Sequence, residues 1–435
     1  MNGLAATLRR AEEIVGASHL LTATDEVGKQ AVEGQTPVAA AFPGSAEEVA
    51  ALLRAASEAK LSVLLRGAGQ HLYLGAPPEP IGLVVSLARL DSIVEYDPED
   101  LTVTAQGGMS LGALQRAVGK SGQMLPLDPP GPGSATLGGV ASANLAGPMR
   151  VRYGSARDLV IGLRVALASG EVIKTGGRTV KNVAGYSLTK LFIGSLGTVG
   201  AIVEVTTRLT PLPEAGAMLA AVLSPSEARE VTAWLVGSPL EVAACELVNG
   251  AAALRLGPAL PLTAGAAEEV LLVGLAGDRE ALARQQREIR NRVRECACLE
   301  GEQADELWRR ARELAYPAPG EILARAMVPI SRLSEMMDLI SSWEGWSGIG
   351  RAGDGLVYAR PPTGEATADS KTKLDALRAA AQQAGGFAVL ESGPLGLKRE
   401  FPVWGEVANW DLMRELKQAY DPAGILGCGR LLPRR

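Results

Sequence analysis

The residues best placed for chemistry in this 435-residue chain are glycines beside strands, joined by one arginine and one histidine. Arg66-Gly67-Ala68-Gly69-Gln70-His71 follows a short apolar run, and Ala135-Thr136-Leu137-Gly138-Gly139 follows a proline-rich one. Glycines at such points let backbone N–H groups approach an anion or a flat ring with no Cβ in the way. Each loop taken singly is better read as a plain tight turn than as a ligand cradle. Other chemistries fail on spacing. The Gly-x-Gly at 67–69 lacks its third glycine because Leu72 stands there, so the nicotinamide-dinucleotide fingerprint is broken. Gly119-Lys120-Ser121 ends like a phosphate loop, but the glycine required upstream is Leu114. A hydrolase with a serine on a nucleophile elbow is not expected either. His19 and His71 are the only histidines, which excludes a multi-histidine zinc or iron site. Cys245, Cys296, Cys298 and Cys428 form no Cys-x-x-Cys, so no internal iron–sulfur centre or other metal site is expected. Ordinary reduced thiols are the plainer reading of Cys296 and Cys298.

The elements that must hold these loops are legible in the pattern. Ser45-Ala46-Glu47-Glu48 is a capping box opening a helix with Val49, Leu52, Leu53 and Ala56 at helical spacing. Leu61–Leu65 is a short strand running into Arg66. Strands over Leu83–Leu87 and Leu101–Ala105 and a helix over Leu111–Val118 complete a small α/β lobe. Leu125 to Gly133 is a rigid, proline-rich connector. Alternation from Leu159 to Leu167, a turn at Ser169-Gly170 and a return over Val172–Lys174 predict a hairpin. With a strand over Ala201–Leu209, they make a second, mainly antiparallel lobe. Beyond residue 214, strands mix with alanine-rich helices, including a long charged helical stretch within 263–312 and a helix over Ser370–Ala384; no internal repeat is visible.

Composition narrows the partners. The net charge is −5 with no lysine- or arginine-dense run, which argues against nucleic acid or an acidic membrane surface. No apolar stretch is long enough to span a bilayer, so no transmembrane segment is expected. Arg9, Arg10, Glu12 and Glu13 interrupt the first fifteen residues where a signal peptide needs an apolar core. The expected location is cytoplasmic, peripheral to a membrane only through partners.

Taken in order, five strings resemble the FAD-binding domain of the vanillyl-alcohol-oxidase, or PCMH-type, flavoproteins. They are Pro43-Gly44-Ser45-Ala46-Glu47-Glu48-Val49, Arg66-Gly67-Ala68-Gly69, Ala135-Thr136-Leu137-Gly138-Gly139, Tyr153-Gly154-Ser155-Ala156-Arg157-Asp158 and Gly194-Ser195-Leu196-Gly197-Thr198-Val199-Gly200. The resemblance implies an α+β fold: a two-lobed FAD-binding domain over 36–213, after a helical segment over 1–35. An α+β cap would follow over 214–405, and a segment over 406–435 would return to the FAD domain. It implies non-covalent FAD, because the histidine that carries a covalent flavin in some members corresponds to Gln70 here. Arg66, Gly67, Ala68, Gly69, Gln70 and His71 would hold the pyrophosphate. Pro129, Thr136, Leu137, Gly138, Gly139, Asn144 and Gly147 would line the flavin and ribityl chain, and Gly197, Gly200, Ala201 and Ile202 the isoalloxazine or adenine. Thr136 and Asn144 are also natural caps for local turns.

Lys181-Asn182-Val183-Ala184-Gly185-Tyr186-Ser187-Leu188, with Leu145-Ala146-Gly147-Pro148, resembles the FAD-binding E subunits of glycolate oxidases. The 2-hydroxy-acid dehydrogenases of the family carry histidines around a Gly-Asp-Gly and in a later Glu-His-Gly. Here Arg351 and Tyr358 flank Gly353-Asp354-Gly355, and Glu391-Ser392-Gly393 has no histidine. Oxidising a 2-hydroxy acid needs a base for the hydroxyl proton. The resemblance therefore implies an FAD-carrying subunit beside a catalytic FAD subunit of the glycolate oxidase type and an iron–sulfur subunit. A self-sufficient dehydrogenase and a non-catalytic scaffold are the alternatives, and no catalytic residue is assigned. Arg351, Lys398, Arg399 and Cys428 are expected to be structural or surface residues.

Overall fold

The computed structural model describes residues 2–177, 187–293, 295–362, 369–427 and 429–431. The string from Lys181 to Tyr186 and Cys428 lie outside the described residues. A four-stranded sheet in the order Leu20–Leu21, Ala39–Ala41, Leu83–Ser86, Val63–Arg66 forms the first lobe. The last three of these run parallel, and Leu20–Leu21 pairs antiparallel at the other edge. The helix Ala46–Glu58 makes the crossover between two of them, starting where Ser45 Oγ accepts from the Glu48 N–H at 3.1 Å. The Glu48 carboxylate reaches back to the Gly44 N–H at 2.7 Å, closing the box one residue earlier than the sequence suggests. Val49, Leu52, Leu53 and Ala56 face the sheet and the N-terminal helix Asn2–Val15, in one core with Ala11 and Val15.

The second lobe is a five-stranded antiparallel sheet in the order Ile93–Asp97, Thr102–Gln106, Ala201–Arg208, Val160–Ala166, Val172–Gly176. The expected hairpin is present. Thr102–Gln106, assigned from sequence to the first lobe, instead pairs with Ala201–Arg208. Periodicity locates a strand but does not choose its partner, and here Val103 and Ala105 pack with Leu163 and Val205.

The remaining large sheet has eight strands, all antiparallel, and is a duplication that the sequence conceals. In chain order, Ala215–Leu223, helix Pro225–Gly237, Ala244–Asn249, Glu269–Gly277, helix Arg279–Arg292 and Cys296–Glu300 make a βαββαβ unit. Leu323–Met327, helix Leu333–Ser341, Ser347–Arg351, Leu356–Arg360, helix Ser370–Gln383 and Phe387–Ser392 repeat it. Each half orders its strands fourth, first, third, second, and the two halves join edge to edge through their second strands, Glu246 opposite Arg351. The expectation of no repeat is thus corrected: the halves share topology and not sequence. The expected long helical stretch over 263–312 is also corrected. The strands Glu269–Gly277 and Cys296–Glu300 lie within it and leave two helices, Arg279–Arg292 and Gly301–Glu313. The four crossover helices pack on one face of the sheet, and Gly250–Leu256 and Gly301–Glu313 on the other.

After the second unit the chain returns. Ile425–Gly427 lies beside Val63, with the Val63 N–H donating to Ile425 O at 2.8 Å and the Gly427 N–H to Val63 O at 3.1 Å. The buried Asp421 carboxylate fixes this piece through the Ile425 and Leu426 N–H groups at 3.1 and 2.7 Å.

Candidate functional site

The strand Val63–Arg66 delivers the chain into a loop whose backbone is left open. None of the N–H groups from Gly67 to His71 donates to an acceptor among the described residues, whereas those of Leu72 and Leu74 fold back onto Gly69 O and His71 O. Backbone donors enclosed by protein are almost always satisfied, and five in a row without a protein partner offer what an anion cradle needs. Gly69 adopts φ +80°, which turns the loop over on itself. A Cβ on Gly67 would stand 2.1 Å from Thr136 Oγ1, so only glycine allows the two walls to meet. Arg66 packs beneath Gly69, pairs with no carboxylate among the described residues, and has its pKa lowered by burial. Its charge is free to balance a diphosphate. These features fit the pyrophosphate of a dinucleotide cofactor.

The opposite wall works differently. Thr136 caps the short helix Leu137–Ala143, its Oγ1 accepting from the Gly139 N–H at 3.3 Å. The Leu137 and Gly138 N–H groups donate to Met109 O and Gly107 O, both at 2.8 Å. All three first-turn donors are therefore spent inside the protein, and this wall offers shape rather than N–H groups. Asn144 ends the helix in the left-handed region at φ 50°, and its Oδ1 accepts from the Arg157 N–H at 3.1 Å.

The cleft between the walls is lined by Gly67 to Leu72, Leu64, Leu65, Leu74, Thr136, Gly139, Val140, Ser142, Ala143, Leu196 and Arg430. Of the residues singled out from sequence, Gly67, Ala68, Gly69, Gln70, His71, Thr136 and Gly139 thus come together, and Arg66 opens onto the adjoining cleft of about 860 Å³. Leu137, Gly138, Gly147, Gly197, Gly200, Ala201, Ile202 and Pro129 are buried behind these surfaces. Sequence reasoning missed Leu196, whose φ of +53° turns it into the cleft, and Arg430, which arrives from the C-terminal segment. The proximity of Leu196 to two glycines was the available signal; for Arg430 there was none.

The Gly108-Met109-Ser110-Leu111-Gly112 segment does carry nucleophile-elbow spacing, between a strand and a helix. Ser110 is nevertheless consumed as the N-cap of Leu111–Gly119, accepting from the Ala113 N–H at 3.2 Å. The half-buried Cys296 and Cys298 thiols are pushed up by burial, Cys296 to about 11, which keeps them protonated.

Where the cap meets the FAD-domain loops, charge is buried in quantity. Arg351, fully enclosed, donates through Nε to Glu246 at 2.9 Å and through Nη1 to Ala146 O at 2.9 Å. Its guanidinium lies 5.5 Å from the centre of the Tyr358 ring. Burial raises the Tyr358 phenol to about 12 despite the pull of Arg351. Arg325 pairs with Glu391 at the same interface. Lys398 is a structural cation, pairing with Glu33 and donating to Tyr73 O at 2.6 Å, while Arg399 is exposed. Asp128, buried in the proline-rich connector, accepts from the Met149 N–H, and desolvation lifts its pKa to about 7 against the opposing charge of Arg351.

That last shift has a measurable sign. The folded protein binds more protons at Asp128 than the unfolded chain between about pH 4 and about pH 7, so this group makes stability fall as pH rises through that window. An Asp128→Asn variant loses that term. Its melting temperature relative to wild type should climb from pH 5 to pH 7.5, by the equivalent of a few kcal/mol at about 1.4 kcal/mol per pKa unit. Parallel pH profiles for the two proteins would rule the assignment out.

Comparison with known proteins gives this geometry a context. Residues 37–176 match the FAD binding domain family, and residues 397–431 match the C-terminal domain of FAD linked oxidases. The chain is 31% identical over 427 residues to glycolate oxidase subunit GlcD of Bacillus subtilis, covering 91% of this chain and 89% of that one. It is 28% identical to the mitochondrial D-lactate dehydrogenase (cytochrome) of Arabidopsis thaliana, covering 91% and 74%. Glycolate oxidase subunit GlcE of Escherichia coli matches at 37% identity over 45% of this chain and 56% of its own. Among solved structures, p-cresol methylhydroxylase with substrate bound superposes over 99% of this chain and 97% of its own with a TM-score of 0.76 at 15% identity. 4-Ethylphenol oxidase from Gulosibacter chungangensis superposes over 100% and 98% with a TM-score of 0.72 at 17% identity. The fold is therefore that of the PCMH-type FAD oxidases. No helix among the described residues is long and apolar enough to cross a membrane.

Proposed function

The chain belongs to the FAD-linked oxidase family of glycolate oxidase subunits and D-lactate dehydrogenases, and from that membership we propose that it is the FAD-carrying, electron-transferring subunit of a 2-hydroxy-acid-oxidising complex. Family membership makes it an FAD-dependent oxidoreductase; the subunit role is the further step. Its partners would be a sister flavoprotein that oxidises the acid and an iron–sulfur subunit that takes the electrons onward. The observation that carries this reading is the state of the cap interface. Arg351, Tyr358 and Ser392 stand where the resemblance calls for histidines, and none can accept a proton. Arg351 is a permanent cation locked to Glu246 and Ala146 O, and Tyr358 is held neutral by burial.

Bound FAD would supply reversible two-electron acceptance. The residues of this chain would do the holding: the Gly67–His71 amides and Arg66 take the diphosphate, and Thr136 and Leu196 wall the cofactor in. Gln70 accepts from the Tyr316 hydroxyl through its carbonyl and Oε1, both at 3.1 Å, which ties the loop to the cap, and its amide side chain is no nucleophile at the position where the resemblance puts a flavin-linked histidine.

The test is an anaerobic absorbance spectrum of the purified chain with D-lactate or glycolate. The protein should be yellow, stay oxidised alone, and bleach once the partner subunits are added. Bleaching of the isolated chain would instead establish a self-sufficient dehydrogenase, a reading favoured by the near full-length match to GlcD.

A further inference from the structure

The cleft of about 860 Å³ that Arg66 opens onto is walled on its other side by the cap, and there two arginines meet. Arg360 ends the strand Leu356–Arg360, and Ser347 stands opposite it on the neighbouring strand, so both side chains leave the same face of the sheet. Arg255 comes from the helix Gly250–Leu256, which packs on that face. It donates through Nε to Ser347 Oγ and through Nη2 to the carbonyls of Pro361 and Pro362, all at 3.1 Å. These bonds draw its guanidinium down beside Arg360. Both arginines line the cleft.

Their charges do not balance. Glu321 pairs with Arg360, but the other carboxylates lining the cleft are held elsewhere, Glu33 by Lys398 and Arg430 and Glu313 by Arg309. Arg255 pairs with no carboxylate among the described residues, and its Nη1 has no acceptor there. Arg360 is only 7% exposed and donates through Nη1 to Leu314 O and Tyr316 O at 3.2 and 3.4 Å. Its buried Nε has no partner. Buried donors are rarely left unpaired, and enclosed cations rarely lack a counter-charge. Two guanidiniums and one carboxylate thus leave one positive charge, with an open N–H on each guanidinium.

We propose that this arginine pair seats a carboxylate ligand: a monocarboxylic acid with an apolar body binds in the cleft, its carboxylate between Arg255 Nη1 and Arg360 Nε. Charge selects the head group. A carboxylate carries the single negative charge that the pair lacks, and its bonds to guanidinium are charge-assisted. A phosphate monoester carries roughly −1.5 to −2 and would leave an excess of negative charge beside Glu321. The walls select the body. Leu314, Pro317, Pro319 and Leu395 also line the cleft and offer apolar surface to a chain longer than that of lactate or glycolate. The volume is in the range of small-molecule sites, about 300–1,000 Å³. Binding here involves no oxidation, so the site is independent of the electron-transferring role proposed above.

Isothermal titration calorimetry of the FAD-loaded full chain tests this, with octanoate, octanol and octyl phosphate as probes. Octanoate should bind as one equivalent, and more tightly than either of the others. Arg255→Gln removes the unpaired cation and should weaken octanoate about ten- to hundredfold, the worth of a charge-assisted hydrogen bond, while Arg255→Lys recovers part of the loss. Ala318→Trp is a second, independent variant: Ala318 is an exposed residue of the cleft wall, so the indole can fill the space without disturbing the core, and octanoate binding should fall. No binding of octanoate to wild type, or equal binding to wild type and both variants, overturns the site. Tighter binding of octyl phosphate overturns the choice of a carboxylate, and equal binding of octanol overturns the role of the arginines. The flavin absorbance of each protein reports the cradle separately, so the site can fail while the cofactor assignment stands.

Discussion

Gly67→Ala protein should purify without colour. One added methyl group would sit 2.1 Å from Thr136 Oγ1, 3.1 Å from its Cβ and 3.2 Å from its Cγ2, a clash that the loop can relieve only by moving away from the opposite wall. Overpacking of this kind costs about 1–3 kcal/mol, on the order of a ten- to hundredfold loss of FAD affinity. Circular dichroism should be unchanged, because Gly67 contributes nothing to either core. The partner of the clash is identified, so the effect should be non-additive. Gly67→Ala with Thr136→Gly should recover part of the affinity that Gly67→Ala loses, even though Thr136→Gly alone removes a helix cap. FAD titration by flavin fluorescence quenching measures both. Strict additivity would place the steric problem elsewhere.

A second large effect is expected at Glu33. Its carboxylate pairs with Lys398 from the cap and Arg430 from the C-terminal segment, and these two cations also donate to the carbonyls of Leu72, Tyr73 and Leu74. Lys398 and Arg430 are buried, so Glu33→Gln leaves two enclosed cations facing an amide. Breaking a buried pair in this way costs about 3–5 kcal/mol. The pH dependence should change as well. Burial already lowers Lys398 to about 8 against the pull of Glu33, and without that carboxylate the value falls further. Between the folded value and 10.5 the folded state binds fewer protons than the unfolded one, so the stability of the variant rises with pH across that window. Thermal melts from pH 6.5 to 9 follow it. A variant as stable as wild type, with a flat profile, would mean that the three side chains are not coupled in solution.

What the sequence disclosed follows from which forces are local. The helix after Ser45 and the hairpin about Ser169-Gly170 were legible because caps, turns and periodicity act within a few residues. The glycine loops were legible as candidates, since a cradle must forgo side chains. Their difference was not: the Gly67–His71 amides are open and those of Leu137–Gly139 are spent, and the acceptors at Gly107 and Met109 lie far upstream. The partner of Thr102–Gln106, the doubled cap and the enclosure of Arg351 by Glu246 all depend on pairings across long stretches of chain. Arg351 and Lys398 were expected to be structural, and burial supplies the reason: each is surrounded by its own acceptors.

The contact between Val63 and Ile425–Gly427 also governs how the molecule is made. Glu33 and Arg430 are separated by 397 positions, and everything between them, including both halves of the cap, leaves the ribosome first. Pairings across so long a span are slow to form, because loop closure comes before any reward. The cap, whose strands pair only with one another within residues 215–392, is free to fold while the first lobe still waits for its last edge. Arg430, which lines the cleft between the two glycine walls, is synthesised after the whole cap. Completion of that cleft therefore follows synthesis of the cap, and a nascent chain cut short before Asp421 should carry a finished cap on an open, colourless flavin domain.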